Sequence, residues 1–223
     1  MVFVTSSEKE TSTASLSNRD ATPCFLTASL AREAERHPDR CQYRNGKPIT
    51  NEELWREILK AATWLQRNGI ERGCVVILAL SEDHPLTETI IMAATHVGGV
   101  VSVLPKDISR KRFTAIISNC DPACVFLDDG TATFRPSIEG TLTVWMSPGM
   151  SSGAWDEAEI TEILETKAAW GLPFPGQSDD PAFLVFDGTE DVQGKTLSHN
   201  RIHKLMSEQN DRLPLNEFWS LAE

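Results

Sequence analysis

One segment combines glycines, hydroxyls and a lysine in a spacing that could hold phosphate. The apolar stretch Ala182–Phe186 runs into Asp187-Gly-Thr-Glu-Asp-Val-Gln-Gly-Lys-Thr, and we expect a helix to follow Leu197-Ser198-His199. Glycine-rich turns between a strand and a helix bind phosphates through backbone N–H groups. The candidate cofactor-binding residues are therefore Gly188, Thr189, Gly194, Lys195 and Ser198.

This segment differs from the nucleoside-triphosphatase loop that ends in Gly-Lys-Thr. That motif has four residues between its two glycines, whereas Gly188 and Gly194 enclose five. Only 28 residues follow Lys195, too few for the Mg²⁺-binding strand and the remainder of such an enzyme. We therefore do not assign the segment to that class.

The elements that would position this loop alternate between apolar strands and amphipathic helices. Thr50 and Glu53 form a capping box that starts a long helix. The stretch Cys74–Leu80 is apolar on both faces, which is typical of a central parallel strand. We predict an α/β fold, a mostly parallel sheet flanked by helices on both faces. The further predicted strands are 100–104, 123–127, 141–146 and 182–186, with a hairpin around Asn45-Gly46 and helices at 25–36, 85–96, 110–119, 157–169 and 198–209.

Composition limits the partners and the compartment. Lys plus Arg number 21 and Asp plus Glu number 32, so the net charge is −11. That charge argues against nucleic acid or an anionic membrane surface as a partner. No stretch is long and apolar enough to cross a bilayer, and the N-terminus lacks the features of a secretory signal. We expect a cytoplasmic protein whose thiols are reduced and packed in the interior, at Cys24, Cys41, Cys74, Cys120 and Cys124.

The chain divides into three parts by composition. Residues 5–22 have almost no large apolar side chain, so 1–22 predict a disordered tail. Residues 23–209 predict one α/β domain, and 210–223 predict a C-terminal tail that packs on the domain or on a partner.

Four segments in the same order resemble the N-terminal part of the adenylate-forming enzymes, which include acyl-CoA synthetases, luciferases and peptide-synthetase adenylation domains. Residues 37–80 resemble that superfamily's opening helix, hairpin, helix and first strand, and 81–129 resemble its next two helix–strand units. Residues 179–186 resemble the strand before its phosphate loop, and 197–202 the end of that loop. The resemblance spans about residues 25–204 and implies the same α/β fold.

The candidate loop departs from the pattern of that superfamily, which is roughly Ser/Thr-Ser-Gly-Thr-Thr-Gly-x-Pro-Lys-Gly. Asp187 stands where a hydroxyl is expected, and Glu190 and Asp191 stand where Thr and Gly are expected. Lys195 follows the second glycine instead of preceding it. At an effective dielectric near 20, each carboxylate about 4–6 Å from a phosphate charge costs on the order of a few kcal/mol. We expect weak ATP binding or none, so ATP or AMP with Mg²⁺ is a cofactor only if this vestigial loop still binds it.

The resemblance also implies later parts that this sequence lacks. The superfamily's Tyr/Phe-Gly-x-Thr-Glu segment, its ribose-binding Asp and its C-terminal domain with the adenylation lysine have no counterpart in these 223 residues. We therefore expect no catalytic residue, and a truncated, degenerate synthetase-like protein that acts as a binding or scaffolding partner in a biosynthetic pathway.

Association with a second copy or with another protein is expected, because a truncated sheet leaves an edge strand and apolar faces to cover. One alternative is half of a split acyl- or aminoacyl-adenylating ligase that is active only with a complementary chain. Another is a pocket used for a different reaction, with Asp187, Glu190 or His199 in new roles.

We predict no metal site. Several other positions have an ordinary structural interpretation as well as a functional one. The structural interpretations are a helix cap for Ser198, a loop and helix-start residue for His199 in place of a general base, a helix entry for Asp83-His84, a dipole-favoured helix end for His96, and a turn for Asp128-Asp129-Gly130.

Overall fold

A computed structural model describes residues 25–44, 47–81, 84–138, 140–172, 175–186 and 194–208. These ranges contain nine strands, six α-helices and one 3-10 helix, Asp129–Ser137. The strands are β1 (Cys41–Arg44), β2 (Lys47–Thr50), β3 (Val75–Ala79), β4 (Val100–Val103), β5 (Cys124–Leu127), β6 (Leu142–Trp145), β7 (Glu157–Glu159), β8 (Pro181–Phe186) and β9 (Gly194–Ser198). The helices are α1 (Phe25–Arg36), α2 (Asn51–Arg67), α3 (Thr87–His96), α4 (Arg110–Cys120), α5 (Ile160–Glu165) and α6 (His199–Glu208).

Seven strands form one sheet in the order β7-β6-β5-β3-β4-β8-β9. Every neighbouring pair is parallel except β8 and β9, which are antiparallel. Strands β1 and β2 form a separate antiparallel hairpin. The predicted mostly parallel sheet is confirmed, with one antiparallel pair at its edge.

The central strand β3 explains why helices are needed on both sides of the sheet. Its alternate residues Val76 and Leu78 belong to one buried apolar cluster, whereas Ile77 and Ala79 belong to another. Successive side chains of a strand point to opposite faces, so a strand that is apolar throughout requires two covering layers.

The two faces are covered by different elements. The first apolar cluster includes residues of α1, α2, α3, α5 and α6, so these five helices form the layer on one face. Helix α4 and the 3-10 helix cover the other face, where the rings of Phe113 and Phe134 stack with centroids 4.4 Å apart. The expectation of helices on both faces is confirmed.

The predicted capping box starts α2. The Thr50 hydroxyl accepts from the Glu53 backbone N–H at 3.1 Å, and the Glu53 carboxylate accepts from the Thr50 backbone N–H at 2.9 Å. These bonds pair N–H groups that have no partner within a helix.

Two predicted elements are different in the structure. The helix expected over 157–169 is strand β7 followed by the short helix α5, because 157–159 pair with β6 and the Asp156 carbonyl accepts from the Thr143 N–H at 2.8 Å. The turn expected at Asp128-Asp129-Gly130 is the start of the 3-10 helix. The predicted tails, 1–22 and 210–223, and the turn Asn45-Gly46 lie outside the described residues.

None of the helices in the described ranges is both long and apolar enough to cross a membrane.

The turn from α3 into β4 depends on two glycines. Gly98 has a φ of +84°, and a Cβ added there would lie 3.0 Å from the Cα of Arg72. A Cβ on Gly99 would lie 2.9 Å from the carbonyl oxygen of Ala94. A side chain at either glycine would therefore collide with backbone atoms of Arg72 or Ala94.

We predict that Gly98→Ala costs about 3 kcal/mol of unfolding free energy, because it adds a contact with backbone to the left-handed strain. Gly69→Ala is the matched control, since Gly69 has a φ of +82° and open space around it. It should cost about 1 kcal/mol. Urea denaturation of both variants measures the difference, and equal losses would contradict the close approach at Gly98.

Candidate functional site

The carboxyl edge of the sheet is where a parallel α/β fold places its ligand-binding groups. The chain passes from β3 to β4 on one side and then to β5 on the other side of β3. Open α/β sheets form a binding crevice where the strand order reverses in this way. The crevice beyond β3 and β5 is therefore the first place to look for a site.

Polar side chains connect the two strand ends at this crevice. The Asp128 carboxylate, directly after β5, accepts from the backbone N–H and the hydroxyl of Ser81 at 2.6 and 2.9 Å. It also accepts from the Thr131 N–H at 3.1 Å, and the Thr131 hydroxyl donates to the Ala79 carbonyl at 2.7 Å. A Cβ on Gly130 would lie 2.2 Å from the Ser81 hydroxyl oxygen. These contacts join the ends of β3 and β5.

The ionised form of Asp128 is favoured at this position. Burial alone would raise the pKa of Asp128, but hydrogen bonds from Ser81 and Thr131 outweigh it and hold the pKa below the usual value. The carboxylate therefore caps the 3-10 helix as an anion. No group of three or more His, Cys, Asp or Glu side chains within the described residues could hold a metal ion.

We predict that Asp128→Asn lowers the unfolding free energy by about 1–3 kcal/mol, because it weakens bonds to buried donors. Asp129→Asn is the control, since its side chain is exposed and it should change stability by less than about 0.5 kcal/mol. Thermal and urea unfolding of the pair measure this contrast. An unchanged Asp128→Asn variant would show that the cluster does not join the strands.

The second location on the carboxyl edge is the hairpin of β8 and β9. Phe186 pairs with Gly194 and Val185 pairs with Lys195, so residues 187–193 connect two strand ends that lie side by side. The candidates Gly188 and Thr189, and the carboxylates Asp187, Glu190 and Asp191, lie outside the described residues.

The helix predicted over 198–209 is confirmed as α6, but the sequence analysis did not predict β9, which lies between the loop and that helix. Gly194 begins that strand, and a Cβ there would lie 2.6 Å from Cδ1 of Leu184, so this glycine makes room for a side chain of β8. Lys195 is exposed on the strand. The Ser198 hydroxyl accepts from the Arg201 N–H at 3.3 Å, which confirms the predicted cap of α6.

His199, a candidate general base in the sequence, is completely buried. Its backbone N–H donates to the Asp180 carbonyl at 3.1 Å, and Asp180 forms an ion pair with Arg72 at 2.7 Å. Burial lowers the pKa of His199 to about 4, and the nearby Asp180 opposes this only in part. The neutral ring is part of the core at the start of α6, as the structural interpretation expects.

We predict that His199 makes the free energy of unfolding decrease as the pH falls. The folded pKa is about 4 and the unfolded value about 6.5, so the unfolded chain takes up the proton first as the pH falls. The wild type should lose about 3 kcal/mol between pH 6.5 and 4 that His199→Gln does not lose. Urea titrations at a series of pH values measure how the free energy of unfolding of each protein depends on pH. The same dependence in the wild type and in His199→Gln would contradict a buried neutral ring.

His96 is also a core residue. Its Nδ1 lies 3.1 Å from the Thr27 hydroxyl, its Nε2 lies 3.0 Å from the Leu172 carbonyl oxygen, and its ring meets Trp55 edge-on at 5.2 Å. Burial lowers its pKa. The interpretation that a charge on His96 favours the helix dipole is therefore wrong, because the neutral ring is the stable form here.

The remaining candidates have structural roles in the described residues. His84 Nδ1 accepts from the Leu86 N–H at 3.2 Å, which agrees with a helix entry, and Asp83 lies outside the described ranges. The four described cysteines are free thiols, and burial raises the pKa of Cys120 to about 11. Cys41 is exposed, contrary to the expectation of packing throughout.

The comparisons with known proteins identify the family. The model of the AMP-binding enzyme family matches residues 30–187, which is 158 of the 223 residues. The chain belongs to the AMP-binding enzyme family. The match ends at Asp187, where β8 gives way to the loop.

Several solved structures share this fold. ATP-bound MatB from Rhodopseudomonas palustris is 18% identical, with a TM-score of 0.70 over 85% of this chain and 38% of that one. The luciferase-like enzyme of the mealworm Zophobas morio is 17% identical, with a TM-score of 0.70 over 86% and 46%. Acetoacetyl-CoA synthetase from Streptomyces lividans is 16% identical, with a TM-score of 0.69 over 83% and 32%. This chain thus spans a third to a half of these relatives. No curated protein sequence matches it.

Sequence reasoning missed the polar cluster that connects the ends of β3 and β5. Ser81 and Asp128 are 47 residues apart, so no local pattern pairs them. The available signal was their shared position, since each directly follows a predicted strand. For the β8–β9 hairpin the signal was weaker, because β9 contains one strongly β-forming residue, Thr196.

Proposed function

We propose that this member of the AMP-binding enzyme family does not form adenylates by itself and acts as a binding or scaffolding partner in a biosynthetic pathway. The observation that carries the proposal is the charge of the loop between β8 and β9. Residues 187–193 contain Asp187, Glu190 and Asp191 and neither lysine nor arginine.

The two ends of this loop are neighbours in the sheet. Paired residues of an antiparallel ladder lie about 5 Å apart, so the loop leaves from Phe186 and returns to Gly194 at neighbouring positions. The seven residues between them include three acidic ones. A triphosphate there would meet like charges at close range, which opposes binding.

The position of Lys195 supports the same proposal. Lys195 lies one residue beyond the Phe186–Gly194 pair, within β9 and opposite Val185. Cross-strand partners share a face of the sheet, and Val185 faces the layer that contains α6. The lysine is thus part of the strand and does not offset the loop charges from within the loop.

We predict that the wild type shows no ATP–pyrophosphate exchange with carboxylic or amino acids and little Mg-ATP binding by calorimetry. Replacing the loop carboxylates, by Asp187→Ser, Glu190→Thr and Asp191→Gly together, should raise the ATP affinity at least about tenfold, because like-charge repulsion is removed.

The matched control is Glu162→Gln with Glu165→Gln, which removes exposed carboxylates of α5 and should leave ATP affinity unchanged. Tight Mg-ATP binding by the wild type would contradict the proposal, and so would loop neutralisation that has no effect.

A second candidate is one half of a split acyl- or aminoacyl-adenylating ligase. The chain covers 32% to 47% of the length of solved structures that share its fold. Pyrophosphate exchange that appears only after addition of a separate chain with the Tyr/Phe-Gly-x-Thr-Glu segment would support this candidate. Exchange that stays absent after such additions favours the non-catalytic role.

A further inference from the structure

A groove of about 680 Å³ opens between strand β2, the first half of α2 and the two residues before α3. Its apolar lining comes from Pro48 and Ile49 of β2 and from Pro85 and Leu86. The two prolines are exposed, and Ile49 and Leu86 are half-buried. We define these four residues as the apolar groove. A groove of this size accommodates several apolar side chains.

The charged residues of the groove do not select an occupant by charge, because both signs are present. They are Lys47, Glu53, Arg56, Glu57 and Lys60. Arg56 forms an ion pair with Glu52 of the same helix, and the Lys60 Nζ donates to the Leu164 carbonyl at 2.8 Å. The alkyl stems of such side chains add apolar surface to a groove. The burial of apolar side chains is therefore the main interaction that an occupant gains here.

The apolar groove lies at the carboxyl edge of the sheet. Helix α2 leads into the start of β3, so its last turn is at the opposite, amino edge and its first turns are at the carboxyl edge. Pro85 and Leu86 follow the end of β3 and precede α3, which places them at the carboxyl edge as well. Helices α2 and α3 pack side by side, which brings these two parts of the groove together.

Helix α6 ends at the same edge. Its first residue, His199, donates its backbone N–H to the carbonyl of Asp180 directly before β8, at 3.1 Å, so α6 begins at the amino edge. Ile202 and Leu205 belong to the buried apolar cluster, and α6 contacts both β8 and β9. These strands extend from the amino edge only toward the carboxyl edge. Helix α6 therefore runs toward the carboxyl edge, and the chain leaves it there at Glu208.

The 15 residues 209–223 are long enough to reach the apolar groove from the end of α6. Helix α1 contacts both α2 and α6. The groove is therefore within about three helix diameters of α6, on the order of 30 Å. Fifteen residues span about 50 Å when they are extended.

Large apolar side chains are concentrated in residues 213–221. Five of these nine residues are large and apolar: Leu213, Leu215, Phe218, Trp219 and Leu221. Leu215, Phe218, Trp219 and Ala222 also recur at the spacing of one helix face, which is the pattern of segments that bind in apolar grooves. Each aromatic side chain removes about 150–250 Å² from water when it is buried. The segment thus supplies the apolar surface that the groove can cover.

Residues 1–24 are a poorer match for the groove. Thr27, in the first turn of α1, has its hydroxyl 3.1 Å from Nδ1 of His96 at the end of α3, so these residues precede α1 at the amino edge. Residues 5–22 also have almost no large apolar side chain. Position and composition therefore both favour residues 213–221.

We propose that residues 213–221 dock in the apolar groove of their own chain. The docked segment covers Ile49 and Leu86 and buries Phe218 and Trp219. This contact involves neither a nucleotide nor the loop 187–193, so it does not rest on the proposed function.

Limited proteolysis of the full chain with chymotrypsin tests the proposal through cleavage after Phe218 and Trp219, measured by mass spectrometry. Ile49→Asp should raise this cleavage rate at least about tenfold, because the rate follows the undocked population. Pro48→Asp should raise the rate as well, and it replaces a side chain that is exposed. Cleavage within residues 47–186 should keep the wild-type rate in both variants. If Ile49→Asp unfolds the domain, the exposed Pro48→Asp variant decides.

Matched controls introduce the same charge away from the groove. Trp155→Asp alters a side chain that is 87% exposed and lies directly before β7 at the amino edge, and Phe3→Asp alters the N-terminal segment. Both should leave the cleavage rate after Phe218 and Trp219 unchanged. Equal rates in the wild type, Ile49→Asp and Pro48→Asp would overturn the proposal. Protection that grows with protein concentration would also overturn it, because the segment would then dock on a second copy. ATP is absent from these measurements, so they are separable from tests of the proposed function.

Discussion

Strand β3 is buried on both faces from Val76 to Ala79, and both of its edges are paired. Val76 and Leu78 pack under the larger helical layer while Ile77 and Ala79 pack against the layer of α4. Strands β4 and β5 satisfy its backbone on either side. A buried strand requires both conditions, because unpaired N–H and C=O groups and exposed apolar side chains each cost free energy. The layers, the direction of the neighbouring strands and the position of the carboxyl edge follow from this requirement.

The carboxyl edge that results offers two places for a ligand, and they differ in character. At the ends of β3 and β5, the Asp128 carboxylate accepts hydrogen bonds from Ser81 and Thr131. These bonds connect the two strand ends and contribute to stability. The other place is the loop after β8, whose sequence contains Asp187, Glu190 and Asp191. The AMP-binding enzyme fold is thus present in a chain whose loop chemistry differs from the pattern of its superfamily.

Prediction from sequence succeeded where the signal was local and repeated. The capping box of α2, the apolar β3, the mostly parallel sheet and the serine cap of α6 were all confirmed. It failed at short elements that exist only because of a neighbour. Strand β7 has three residues and forms because β6 pairs with it, and β9 forms because it folds back on β8. Segments this short have no periodicity of their own that could distinguish strand from helix or loop.

The amino-acid sequence by itself determined the fold class, the family resemblance and the acidic character of the loop, because these depend on residue types and on spacing within a few turns or strands. Only the tertiary structure decided that the Asp128 carboxylate bonds to a residue 47 positions away, that His96 and His199 are neutral core residues, and that Trp155 remains exposed. Burial and hydrogen bonding between distant segments depend on which strands become neighbours. Strand order is set by the packing of the whole sheet, and no short stretch of residues specifies it.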